Sequence, residues 1–356
     1  METPCIVINE ATVRRNIQRM VAGLRAHGIA HRPHFKTHKS VRLAKMQLEM
    51  GAAGITCASL GEGETLADGG VTDIFLAYPI IGARKLARLV ELSRRTALCT
   101  VVNSIEGAEG LNAAFAAAGT RIKVLIELDG GMGRSGITLD NINAFAQAIT
   151  ALPGLELIGV MTYRGNIYQN RGESEYVAET RKEAADLLKA QRQLQEIGIQ
   201  VDVISSGSSF SSKFPQHLQG LTEARAGTYI YNDVSQLSTG MIQVEDCALT
   251  VLATVVTCPD KNHAVIDAGS KTLSSDLAKH GPGYGYILEH PNATIEKLSE
   301  EHGYLRLPDG TQLNVGDTLH IIPNHVCAVV NLADTYWAFD GQAHTEHPVD
   351  ARGKSR

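Results

Sequence analysis

The stretch "VRLAKMQLEMGAAGITCASLGEGETLADGGVTDIFLAYP" (41–79) changes its hydrophobic period three times. It opens with apolar residues three and four apart and ends that run on a glycine, the mark of a capped amphipathic helix. "GITCAS" (54–59) follows as a short β-rich run, then a second helical stretch ending in Gly-Gly, then the strand-like "DIFLAYP" (73–79). A helix, a strand, a helix and a strand within forty residues argue for a parallel sheet with helical crossovers.

The same alternation runs from about residue 30 to 235. Candidate strands are "HRPHF" (31–35), "GITCAS", "DIFLAYP", "TALCTVV" (96–102), "RIKVLIELD" (121–129), "LELIGVMT" (155–162), "VDVISSG" (201–207) and "EARAGTYI" (223–230). Eight strands joined by helices predict an α/β fold of the (β/α)8 TIM-barrel type, with a doubly wound sheet as the alternative. After about residue 240 the texture becomes strand upon strand. The runs are "CALTVLATVVTC", "NHAVIDAG", "YGYILE", "YLRLP", "TLHIIP", "HVCAVVNL" and "TYWAFD", separated by Gly, Pro and Asn/Asp turns. This predicts a second, smaller antiparallel β domain, which "PCIVIN" near the start joins. The expected boundaries are 10–238 for the barrel and 1–9 plus 239–356 for the β domain.

Composition narrows the function classes. Hydrophobic residues make up 44% of 356 and the formal net charge is −5, without acidic or basic blocks. The chain has the profile of a globular protein with no nucleic-acid-binding stripe. Its apolar runs, such as "ALTVLATVV" (248–256), fall far short of the roughly 20 residues of a membrane span. No secretory signal pattern opens the chain, and a cytoplasmic location is expected. The six cysteines show no C-x-x-C spacing, and most are expected to be buried small hydrophobes.

In a barrel, reactive groups sit at the carboxyl ends of the strands and in the loops that follow. Strand one ends in "HRPHFKTHKS" (31–40), which holds three histidines, two lysines and an arginine. Strand five runs into "ELDGGMGRSGI" with Arg134, and strand six ends on Tyr163 and Arg164. Strand seven opens into "SSGSSFSS", and strand eight carries Glu223, Arg225, Gly227 and Tyr229. A Gly/Ser loop at that place offers amides and hydroxyls to a phosphate. A phosphate cup facing a lysine is the layout for pyridoxal 5'-phosphate. Lys36, directly after the strand, is preferred to Lys39, which falls in the polar start of the next helix. Read alone, "HVC" puts an imidazole (His325) and a thiol (Cys327) two apart on a strand, hence on one face, as a zinc-type pair.

Together "RPHFKTHK", "DGGMGRSG", "EARAGTYIYND" and "PNHVCAVVNL" resemble the D-threonine aldolase and D-serine dehydratase family, which has the alanine-racemase type of fold. The resemblance implies that Lys36 carries the cofactor and that Gly207, Ser208 and Ser209, with backbone groups around Gly227, form the phosphate cup. It places Arg134 near the cofactor's phenolic oxygen and Arg225 opposite the pyridine nitrogen, with Tyr163 as the competing ring neighbour. It also implies a divalent metal on His325 and Cys327. In the family H-x-D suits manganese-like ions and marks aldolases, whereas H-x-C suits zinc and marks dehydratases. The expected activity is therefore β-elimination from a small D-3-hydroxy amino acid, of the D-serine or D-threo-3-hydroxyaspartate type, to a keto acid and ammonia. D-threonine aldolase is the alternative; a racemase or a non-catalytic cofactor-binding protein comes next. Arg164 is a spare cation that would suit a substrate carboxylate, and the histidines outside the pair, His34 and His38 apart, are assigned surface or structural roles. A homodimer is expected by the same resemblance.

Overall fold

The computed structural model describes residues 1–169, 172–278, 281 and 283–356. The chain forms two compact units. One comprises Met1–Ile17, Thr37–Ser40 and Thr228–Gly353; the other comprises Gln18–Lys36, Val41–Gly227 and Lys354–Arg356.

Strand β1 (Cys5–Asn9) and helix α1 (Glu10–Arg25) open the chain. The second unit then strings together β2 (Ala30–His31), α2 (Val41–Glu49), β3 (Ile55–Cys57), α3 (Leu60–Asp68), β4 (Asp73–Leu76) and α4 (Ala83–Ser93). It continues with β5 (Ala97–Val102), α5 (Ile105–Ala117), β6 (Ile122–Leu128), α6 (Ile142–Thr150), β7 (Leu155–Thr162), α7 (Glu173–Glu196), β8 (Val203–Ser206) and β9 (Glu223–Ala224). Among the described residues these strands make one eight-stranded parallel sheet in the order β2-β9-β8-β7-β6-β5-β4-β3. The two ends of that order meet. His34 bridges Thr56, the Thr56 N–H donates to Pro33 O at 2.8 Å, and Ala53 N–H donates to His31 O at 2.8 Å. The sheet is a closed (β/α)8 barrel rather than a doubly wound sheet.

Local chemistry explains the elements. Ser59 and Ser104 cap α3 and α5 by accepting the N–H groups of Glu62 and Gly107. The barrel strands are buried on both faces, as in β3 and β4, because helices cover a parallel sheet outside while side chains fill it inside. Phe75, Val101, Leu125 and Met161 pack as one cluster from four neighbouring strands. Arg32, the residue after β2, donates to Glu223 of β9 at 2.7 Å and to Asp73 of β4 at 2.6 Å.

Two expected strands are shorter than their sequences suggest. "HRPHF" keeps ladder character to His34, but Pro33 has no N–H to give, and Phe35–Thr37 turns into a 3-10 helix. "EARAGTYI" pairs only at Glu223–Ala224, and Thr228–Ile230 is again a 3-10 turn.

The first unit is built on a sheet of nine strands among the described residues. It adds α8 (Val234–Leu237), β10 (Leu249–Asp260), β11 (His263–Ile266), α9 (Ser270–Leu273), β12 (Tyr286–Ile287), β13 (Thr294–Leu298) and β14 (Gly303–Arg306). β15 (Thr318–Ile322), α10 (Val326–Leu332), β16 (Thr335–Phe339) and β17 (His344–Pro348) complete it. β1 lies between β10 and β16. Every pairing is antiparallel except β1 with β16, which is parallel. "HVCAVVNL" is not a strand: Val326–Leu332 is helix α10.

Candidate active site

At the end of β8 the chain turns through Gly207, whose φ is +91°, in the region that favours glycine. A Cβ there would meet Ala224 Cβ at 2.8 Å and Ser212 Oγ at 3.0 Å, so the backbone closes on itself only because the side chain is missing. The Ser208 hydroxyl accepts the N–H groups of Phe210 (3.2 Å) and Ser211 (3.1 Å). The Gly227 N–H donates to Ser209 Oγ at 3.2 Å, which ties the loops after β8 and β9. Ser212 Oγ is buried with no hydrogen-bond partner. An orphaned hydroxyl in a loop of serines and amides is the donor set that a phosphate fills.

Lys36, in the same unit, belongs to the 3-10 turn Phe35–Thr37, with Nζ 5.7 Å from the centre of the Tyr163 ring. Arg134, exposed on its glycine turn, has Cζ 5.2 Å from that ring. Tyr163 therefore gathers Lys36 and Arg134. Arg225 is buried: it donates to Thr162 O at 2.7 Å and to Ser205 Oγ, with its guanidinium 5.6 Å from the centre of the Phe75 ring. Burial lowers its pKa, against the charges of Glu223, Glu183 and Glu127.

In the other unit His325 is the N-cap residue of α10, with φ −145° and ψ 98°, and Cys327 lies in the first turn. The same-face argument for a strand is thus replaced by a helix start. The Asp233 carboxylate accepts the Val326 N–H at 3.3 Å, a capping role that begins the helix where a strand would have continued. The two side chains still meet in a hydrogen bond, which is the largest influence raising the His325 pKa to about 10. Desolvation opposes that rise, and Asp276 and Asp233 add to it. His325 Nδ1 is 2.7 Å from Asp276 Oδ2, and Cys327 Sγ is 3.4 Å from Thr37 Oγ1. Tyr229 is buried in this unit, in the turn Thr228–Ile230.

Residues 8–234 match the family "Alanine racemase, N-terminal domain", and residues 248–339 match the "Putative serine dehydratase domain". A D-threonine aldolase of Arthrobacter sp. is 33% identical over 363 residues, covering 100% of this chain and 94% of its own. The chain belongs to the D-threonine aldolase and D-serine dehydratase family. It is an enzyme, a pyridoxal-phosphate-dependent lyase. A D-threo-3-hydroxyaspartate dehydratase of Delftia sp. HT23 is likewise 33% identical, over 97% of this chain and 96% of its own. The solved structure of that Delftia enzyme has a TM-score of 0.92 at 32% identity, covering 98% of this chain and 97% of that one. It has also been solved as a histidine-to-alanine variant and as a cysteine-to-alanine variant two positions further on, the latter in the metal-free form.

Within this family frame one expectation fails. Arg164 is not a spare cation: buried, it donates from Nε to Glu179 at 2.5 Å and from Nη1 to Asp186 at 3.1 Å. Its charge is already answered by two carboxylates. His31 is buried in the barrel, where burial lowers its pKa to about 4, and His263 and His320 pair with Asp260 and Glu289. His280 lies outside the described residues.

Sequence reasoning missed several groups. Glu127, buried at the end of β6, accepts from Asn103 Nδ2 and Ser135 Oγ, both at 2.8 Å. Asp129 Oδ1 accepts the N–H groups of Gly131, Met132 and Gly133, which shapes the turn before Arg134. Glu183 of α7, buried, accepts from Ser206 Oγ and, at 3.1 Å, from the Gly207 N–H. Period-two alternation from Lys123 through Leu125 would have pointed Glu127 to the inner face. No local signal marks Glu183, because its partner loop lies far along the chain.

Proposed function

We propose that the chain is a pyridoxal-phosphate- and zinc-dependent dehydratase of small D-3-hydroxy amino acids, D-serine or D-threo-3-hydroxyaspartate in type. The reaction removes the 3-hydroxyl and the Cα proton and ends in a keto acid and ammonia. The observation that carries this reading is the meeting of an imidazole and a thiol at the start of α10 (His325 and Cys327), a nitrogen–sulfur pair that suits zinc. A carboxylate at position 327 would favour harder ions.

Lys36 is assigned to hold the cofactor and Gly207, Ser208, Ser209, Ser212 and Gly227 to hold its phosphate. When bound, the cofactor supplies an electron sink for charge left at Cα. Lys39 is the poorer candidate: it is buried, and its amine donates to Ala351 O at 3.3 Å. Lys36 Nζ takes the Cα proton in this reading, and the Tyr163 ring beside it sets the direction from which the amine approaches. Arg225 would be the cation for the cofactor's ring nitrogen and Arg134 the one for its phenolic oxygen. Zinc on His325 and Cys327 supplies a Lewis acid for the departing 3-hydroxyl. A homodimer in the cytoplasm completes the reading.

Retro-aldol cleavage to glycine and an aldehyde is the second reading, favoured by the 33% identity to the Arthrobacter D-threonine aldolase. The test is product identification on protein loaded with cofactor and zinc. D-serine is expected to give pyruvate and ammonia, with the activity lost on chelation, restored by zinc and absent from the Lys36→Ala variant. Glycine and acetaldehyde from D-threonine, with no keto acid from D-serine or D-threo-3-hydroxyaspartate, would overturn the dehydratase.

A further inference from the structure

A histidine offers a metal only one nitrogen at a time, and the partner of the other decides which. His325 Nδ1 faces Asp276 Oδ2 at 2.7 Å. A carboxylate there keeps the proton on Nδ1 and turns the Nε2 lone pair outward, raising its basicity as a ligand. The loop that carries Asp276 is itself fastened beside His325. Asn324, buried and one residue earlier, donates its Nδ2 hydrogens to Asp276 O and Gly283 O, each at 2.9 Å. Residues 324 and 325 thus grip the backbone and the side chain of one loop. With His325 and Cys327 as the proposed pair, the direction in which each ligand is aimed bears on zinc affinity.

We propose that Asp276 is a positioning residue for the metal: it fixes the tautomer and direction of the His325 ring and thereby sets zinc affinity. The proposal rests on His325 and Cys327 being the metal pair. The His325 and Asp276 side chains are 46% and 49% exposed, so their ion pair contributes little to folding, and its value lies in orientation.

The test measures zinc binding to cofactor-loaded protein by competition with a chromophoric chelator, for wild type, Asp276→Asn, Asp276→Ala and His325→Ala. The Asp276 variants are expected to bind zinc about 10- to 100-fold more weakly, the alanine variant more so than the asparagine. The cofactor absorption band and the melting temperature of the metal-free protein should stay at wild-type values. Zinc binding within about twofold of wild type in both Asp276 variants, with His325→Ala unable to bind, would overturn the inference and leave the metal pair standing. Equal loss of zinc, cofactor and metal-free melting temperature in both would overturn it too, by making Asp276 a fold residue. Zinc held normally by His325→Ala would remove the metal pair itself.

Discussion

Lys36 and Lys39 stand three positions apart in one basic stretch, and their surroundings separate them. Lys39 is spent on the Ala351 carbonyl, with its backbone at φ +48°, while Lys36 stands over the Tyr163 ring. In sequence Lys36 is preferred to Lys39 by its place directly after the strand, and the family resemblance adds the weight that position lacks. The pair His325 and Cys327 was legible as residue types but not as geometry: the same spacing works on a strand or at a helix start, and what decides is Asp233, ninety-odd residues away in the chain. His31, from the same basic stretch, has become a core residue and supplies a pH prediction. Burial lowers its pKa from the ordinary 6.5 to about 4. The unfolded chain takes up this proton below 6.5, whereas the folded one resists until near 4. The stability held above pH 6.5 is therefore lost as the pH falls through this window, by up to about 3 kcal/mol. Urea melts between pH 7.5 and 4 should show a shallower acid loss in His31→Asn than in wild type. Equal slopes would mean that His31 titrates normally in the fold.

The loop after β8 makes its prediction as an element. Gly207 lets it close, Ser208 and Ser211 bond one another within it, and Glu183 holds it from α7 by Ser206 Oγ and the Gly207 N–H. Gly207→Ala puts a methyl group against Ala224 and imposes a left-handed strain of about 1–2 kcal/mol. Its affinity for pyridoxal phosphate should fall by about tenfold, as read by titration of the absorption band. Ser212→Ala, which removes a buried hydroxyl without a protein partner, should weaken binding by a few-fold and leave the metal-free melting temperature unchanged. Unaltered affinity in both variants would take the phosphate away from this loop. The run of glycine and serines made the loop visible in sequence, because those residues leave amides and hydroxyls to be used. Glu183 stayed invisible because a helical glutamate reads as a solvated face.

At the scale of the molecule the alternation of periods gives eight parallel strands with helical crossovers, which a barrel and a doubly wound sheet share. Closure itself was not legible; it depends on a handful of bonds between residues 31–34 and 53–56. In the β-rich unit β13 and β17 were missed, as charged and polar residues break their alternation, and α10 was read as a strand because its apolar run is short. Arg164, given to a substrate carboxylate on its charge alone, answers Glu179 and Asp186 instead, which a count of charges along the chain could not reveal. In the proposed function Lys36 would move the Cα proton, and a metal held by His325 and Cys327 would assist departure of the hydroxyl. The most direct test is deuterium exchange at Cα of D-serine in heavy water, followed by mass spectrometry on cofactor-loaded, zinc-free protein. Label at Cα with no keto acid is expected, and keto acid once zinc returns. Keto acid formed at full rate without zinc would contradict the proposed role of the metal.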